Sequence, residues 1–228
     1  MRLFRKFMEL RSEHTANGVL RSRAKRGLRL FRLAFLTAFI SVAASPLSAQ
    51  IQALTRPVNL ATLARRAEVI VQGRVVEARY EPLPGYPNLR TVVVTVEVER
   101  MLRGPAGARF TFRQYLGGPS RRGFVKMGYA SGEQVLLFMP AESSYGLRSP
   151  LGLEQGHFLI RRGPAGQDFV ANQLGNAGLF RNVPETAQRA GLRLDDDQLR
   201  LAATPKGPVP LRNFLSLLEE LMRLPKNE

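Results

Sequence analysis

Valines at 92, 94, 96 and 98 alternate with Thr91, Val93, Thr95, Glu97 and Glu99. A side-chain period of two sends one set toward a core and the other toward water, which predicts an amphipathic strand in an antiparallel sheet. Further strands are predicted over residues 69–80, 109–115 and 133–139. The first is rich in β-branched residues, and Gly73 within it marks a bulge or a close backbone approach. In the next, Phe110 and Phe112 point inward. The last carries the unbroken apolar run Val135, Leu136, Leu137, Phe138 and Met139, which predicts burial on both faces. Residues 151–161 and 167–174 read as a hairpin closed across Arg162, Gly163, Pro164, Ala165 and Gly166. The proline-rich segment 81–88, the stretch 103–107 and the glycine-rich segment 117–123 read as loops or turns.

Two helices flank these strands. Asn59 is placed as an N-cap before Leu60, Leu63, Ala64 and Ala67, with Arg65 and Arg66 near the C-terminal end of the helix dipole. Residues 211–224 carry Leu211, Phe214, Leu215, Leu218, Leu221 and Met222 on one helical stripe. Residues 206–210 read as a linker, and 192–201, split by Asp195, Asp196 and Asp197, are left between helix and strand. No βαβ alternation appears. The expected architecture is mainly β: a small closed or nearly closed antiparallel barrel of five to six strands with an N-terminal and a C-terminal helix outside it.

Upstream of the strands the pattern changes. Arg21, Arg23, Lys25, Arg26, Arg29 and Arg32 precede an apolar block over 33–44, followed by Ser45, Pro46, Leu47, Ser48 and Ala49. A basic region, a short apolar region and a small residue before the cut make a secretory signal peptide, and the block is shorter than the roughly 20 apolar residues a membrane span needs. Cleavage is placed after Ala49. The alternative, an uncleaved anchor over 28–49, would carry Arg29 and Arg32 into the membrane at about 2.5–3.5 kcal/mol each at mid-depth. The basic region is long for a signal peptide, so the translation start is also expected near Val19 or Leu20 rather than at Met1. The resulting division is a signal peptide over 1–49, a linker over 50–58, the β-barrel domain with an extension over 59–204 and the C-terminal helical segment over 205–228. The exported protein is expected in the periplasm or outside the cell.

Charge changes meaning once that segment is set aside. Of the 34 basic and 18 acidic residues, ten and two lie in 1–49, so 50–228 holds 24 and 16, an excess of eight positive charges. Dispersed charge of that size favours solubility and attraction to anionic surfaces without specifying nucleic acid. The chain has no cysteine, which excludes disulfides, thiolate nucleophiles and an acylated-cysteine anchor, and no tryptophan, the commonest platform for sugar stacking.

Candidate chemistry is sparse. His157 is the one histidine after residue 49. As a general base it would support a hydrolase, but no G-x-S-x-G elbow and no H-E-x-x-H spacing accompanies it, and a histidine at a strand end is the simpler reading. Asp195, Asp196 and Asp197 lack the alternation and the glycine of a calcium loop and read as a solvated turn. No catalytic, cofactor or metal residues are assigned.

Three stretches carry a resemblance. They are 63–76 (a helix end and first strand), 92–104 (the valine strand and its turn) and 132–138, Gly-Glu-Gln-Val-Leu-Leu-Phe. Together they resemble bacterial exported proteins with an OB-fold-like barrel, whose eukaryotic relatives are the netrin-like and metalloproteinase-inhibitor domains. Residues 149–158 resemble an extension in some exported members. The eukaryotic domains are tied by disulfides that this chain lacks, so no inhibitory residue carries over. The resemblance implies a non-enzymatic domain that binds a protein or another envelope component. Its contacts are expected on the loops 81–90 and 116–131, through the exposed aromatics Tyr86, Phe124 and Tyr129 and the pair Arg121 and Arg122. A membrane contact is expected only through 28–49 if cleavage fails. The alternatives are a hydrolase using His157 and a basic OB-type binder of nucleic acid or polyanions, against which export and dispersed charge argue.

Overall fold

Alternation of buried and exposed residues runs along a single antiparallel sheet in the computed structural model, which describes residues 57–116, 128–152 and 155–226. These belong to one unit, Thr55–Glu228. The strands are β1 (Val69–Leu83), β2 (Tyr86–Arg103), β3 (Arg109–Tyr115), β4 (Gln134–Met139), β5 (His157–Arg162), β6 (Asp168–Asn172) and β7 (Val209–Pro210). Their order across the sheet is β3-β2-β1-β4-β5-β6-β7. The expected barrel is not formed: β3 and β7 are edges, and they do not pair with each other. The mainly β class holds; among the described residues the strands number seven, and the helices are α1 (Leu60–Arg66), α2 (Val183–Arg189), α3 (Asp196–Ala202) and α4 (Leu211–Leu221). A β7 of only two residues ending in proline, which cannot donate to a further ladder, is a poor closing partner for β3.

The two faces of the sheet build two cores. On one face Ile70, Leu136, Phe138, Phe158 and Val170 pack with α1, α2, α3 and α4. The rings of Phe138, Phe158 and Phe214 follow one another at centroid distances of 5.5 and 5.3 Å. On the other face Val69, Val71, Val75, Val92, Val94 and Val96 pack with Phe110, Phe112, Tyr129, Val135, Leu137 and Met139. The run Val135 to Met139 therefore serves both cores in alternation, each residue fully buried, as its unbroken apolarity required.

Local chemistry sets the elements. Asn59 caps α1, its Oδ1 accepting from the Thr62 amide at 2.9 Å. Gly73 sits at a register shift in the β1–β2 pairing, and a Cβ there would lie 2.1 Å from the Glu97 carbonyl oxygen. The close approach read from the sequence is real, and only glycine fits it. Segment 81–88 is not an irregular loop: β1 and β2 run through it and turn at Pro84 and Gly85, with Gly85 at φ +80°. Its prolines are tolerated because they sit at exposed positions.

Other expectations shift. The fifth strand begins at His157 rather than 151: Leu151 N–H donates to Phe138 O of β4, Gly156 N–H donates back to Leu151 O, and the β4–β5 ladder starts at His157. The triple aspartate is the start of α3, not a free turn. Asp195 accepts from the Gln198 amide at 2.8 Å while the Gln198 side chain accepts from the Asp195 amide at 3.0 Å, a capping box. α2, with Pro184 in its first turn, was not anticipated.

Two polar clusters tie the helical side together. Asn176, fully buried at φ +59°, donates to Val170 O and Gly207 O and accepts from the Asn172 amide. Asn172 in turn donates to Gln155 O, and the Gln155 side chain accepts from the Val58 amide. Arg103, at the end of β2, donates to the carbonyls of Ala64 and Ala67 at the end of α1 and of Met222 at the end of α4. A cation there matches the negative ends of both helices. Burial pulls the Arg103 pKa below its ordinary value, and the Glu68 carboxylate pulls the other way; the guanidinium keeps its charge, since arginine titrates far above physiological pH.

Candidate interaction surface

The long hairpin β1–β2 outruns its neighbours. β4 pairs with β1 only over residues 69–74, and β3 pairs with β2 only over 91–97. Beyond those limits the two strands form a ribbon that pairs with itself. Its register fixes what each face carries. Tyr80, Val92 and Gln114 form one cross-strand row, and Glu81, Thr91 and Tyr115 form the next, on the opposite face. Tyr80 and Tyr115 therefore flank the ribbon on opposite sides.

Arg113 of β3 locks the base of this ribbon. Its guanidinium donates to the Glu81 carboxylate at 2.5 Å, to the Thr91 hydroxyl at 2.9 Å and to Pro82 O at 3.3 Å. The Thr91 hydroxyl donates onward to Glu81 O at 2.7 Å. Thr91 and Val93 are buried although their face was read from the sequence as wet. Val93 is flanked in its row by Arg79 and Arg113, whose aliphatic stems can cover it.

Tyr86 stands exposed beside the turn, with its ring edge-on to Tyr145 at 6.1 Å. Tyr145 arrives from the 143–147 turn, which is closed by Ser143 N–H donating to Leu147 O; the next residue, Arg148, donates its amide to Arg113 O. Four of the five tyrosines of the chain are thus exposed at this end: Tyr80 at 64%, Tyr86 at 48%, Tyr115 at 41% and Tyr145 at 63%. Leu89 is exposed with them. Tyrosine presents a large amphipathic surface at little conformational cost, and so many exposed rings at one end make this a candidate interaction surface.

The residues singled out from the sequence fall unevenly. Tyr86 lies on this surface. Tyr129 does not: it is 7% exposed, its hydroxyl donates to Gln114 Oε1 at 3.1 Å, and its ring packs edge-on to Phe112 at 5.5 Å. Its expected exposure is corrected, because Gln114 and Phe112 point into the valine core and hold it there. Arg121, Arg122 and Phe124 lie outside the described residues, as do the signal segment 1–49 and the anchor span 28–49. Among the described residues no helix is long and apolar enough to cross a membrane. His157 is 2% exposed and stacks on Tyr129 at 4.6 Å, a packing position that lends no support to a hydrolytic role. Among the described residues no group of three acidic or histidine side chains is placed to hold a metal ion. An open cleft of about 630 Å³ between Arg100, Asp168, Arg212 and Glu219 carries both signs of charge and favours neither.

Sequence reasoning missed Tyr80, Tyr115, Tyr145 and Leu89. Tyr80 and Tyr115 sat inside predicted strands, where an aromatic is as readily core as surface. Nothing local in the sequence places Tyr145 beside Tyr86. No family model, no curated protein and no solved structure matches this chain.

Proposed function

We propose that this chain is an exported, non-enzymatic binding module that contacts a protein or another component of the cell envelope through the tyrosine-bearing end of the β1–β2 ribbon. The observation that carries this reading is the exposure of Tyr80, Tyr86, Tyr115 and Tyr145 together around a ribbon already held by Arg113. Rigid aromatic anchors give contact area without a large ordering cost, the property that makes tyrosine a frequent contact residue in binding surfaces. The export half of the reading rests on the signal-like composition of segment 1–49.

The test is site-specific cross-linking. A photoreactive phenylalanine derivative is placed at Tyr86 or Tyr145, and at the exposed Leu199 of α3 as the control. The protein is irradiated in cells of its source. Shared adducts from positions 86 and 145, absent from 199, are the expected result. No adduct from either tyrosine position, or the same adducts from all three, refutes the surface.

A further inference from the structure

Two of the exposed tyrosines touch. The rings of Tyr86 and Tyr145 meet edge-on with their centroids 6.1 Å apart. Tyr80 and Tyr115 are exposed as well but stand on opposite faces of the ribbon, and Tyr129 is buried. The turns that carry the touching pair are each held by the backbone. Gly85, at φ +80°, closes the ribbon. In the other turn Ser143 N–H donates to Leu147 O, and the Ser143 hydroxyl accepts from the Leu147 amide at 3.0 Å. Arg113 joins the two turns. Its side chain holds Glu81, Thr91 and Pro82 of the ribbon, and its carbonyl accepts from the amide of Arg148, just after the second turn. The fold therefore brings together two phenols that lie 145 − 86 = 59 positions apart in the chain.

We propose that Tyr86 and Tyr145 form a site of oxidative cross-linking, where a one-electron oxidant of the haem-peroxidase class, supplied with hydrogen peroxide, joins the two rings as dityrosine. The proposal goes beyond the binding-module reading and stands on the ring geometry alone. Each phenol gives up one electron and one proton and becomes a phenoxyl radical. The two unpaired electrons form a bond between ring carbons ortho to the oxygens. The hydrogen on each of those carbons then passes as a proton to the oxygen, which restores both phenols. Hydrogen peroxide takes up the two electrons and two protons and leaves as two waters. The chain has no cysteine and no tryptophan to compete as electron donors. Both rings are open to the oxidant. A radical on either ring has its coupling partner already in contact, whereas a radical at Tyr80 or Tyr115 has to meet another molecule. Exposed side chains reorient within nanoseconds, so an edge-on pair reaches the approach that the ortho carbons need. The link fastens the ribbon turn to the 143–147 turn. It gives a chain without disulfides the same kind of covalent tie across a long stretch of sequence.

The test treats the full chain, at low concentration, with a haem peroxidase and limiting hydrogen peroxide, and maps the linked peptides by mass spectrometry. The expected product is an intramolecular link between Tyr86 and Tyr145, lighter than the parent chain by two hydrogens and showing dityrosine fluorescence. Tyr86→Phe and Tyr145→Phe keep the rings but remove the phenols, and each should cut the intramolecular yield about tenfold or more. Tyr80→Phe and Tyr115→Phe should leave it unchanged. Oxidation in guanidinium chloride should lose the preference for this pair, because the fold alone brings the rings together. In the linked chain, amide exchange over 83–86 and 143–147 should be slower than in the unlinked chain. Links spread evenly over the exposed tyrosines, links between molecules only, an undiminished yield from Tyr86→Phe, or the same preference in denaturant overturns the proposal. Each of those outcomes leaves the binding-module reading standing, since that reading is tested by the adducts formed at positions 86 and 145.

Discussion

The first and second halves of β1 lie in one strand and meet different fates. From Val69 to Val75 the strand runs between β2 and β4, and Val69, Ile70, Val71 and Val75 are buried against a core on each face. From Val76 to Pro82 it keeps β2 as its ladder partner but has left β4, and Val76 and Tyr80 stand exposed. Backbone pairing with β2 is the same in kind along both halves. The difference lies in what covers the side chains. The helices pack on the sheet around Phe138 and Phe158, far in register from the turn at Gly85. A strand long enough to outrun its cover has to show its side chains to something other than the core, and here it shows tyrosines.

That contrast breaks most sharply at Phe214. It is fully buried between Phe158 and Phe180, and Phe214→Ala should cost about 3–5 kcal/mol through lost contact and the cavity left behind. Chemical denaturation should show it as a lower midpoint with an unchanged slope, since the whole sheet depends on the helical core. Arg113→Met comes next. It removes the bonds to Glu81, Thr91 and Pro82 in a partly buried setting, for a loss of about 1–2 kcal/mol. Amide exchange should quicken over the ribbon tip and stay unchanged at Phe138 and Phe158. Equal quickening in both regions would mean the ribbon is not an independent unit. Tyr80→Ser should alter stability by no more than about 0.5 kcal/mol, because the ring is 64% exposed. A thermal melt showing a larger drop would place Tyr80 in the fold rather than on the surface.

The alternation of valines 92 to 98 identified β2, and the apolar run from Val135 identified the strand shared by two cores. Asn59 and Gly73 were legible for the same reason: a cap and a close approach are each decided within a few residues. The capping box at Asp195 and Gln198 is equally local, since it is encoded by their spacing of three, although three consecutive aspartates read as a solvated turn. The candidate surface was legible at Tyr86 alone. Tyr129, alike in composition and loop context, proved to be core, since its fate depends on Phe112 and Gln114 of β3 and His157 of β5 arriving from two other parts of the chain.

By itself the sequence determined six of the seven strands, the two flanking helices and the absence of disulfides, because each follows from periodicity, capping or composition read over a short window, whereas β7 falls in the segment 206–210 read as a linker. Only the tertiary structure decided that the sheet stays open, that β1 and β2 outrun their neighbours and that four tyrosines meet at one end. Those outcomes depend on which strands pair and where pairing stops. They are set by side chains distant in sequence competing for the same core, and no local pattern encodes the result of that competition.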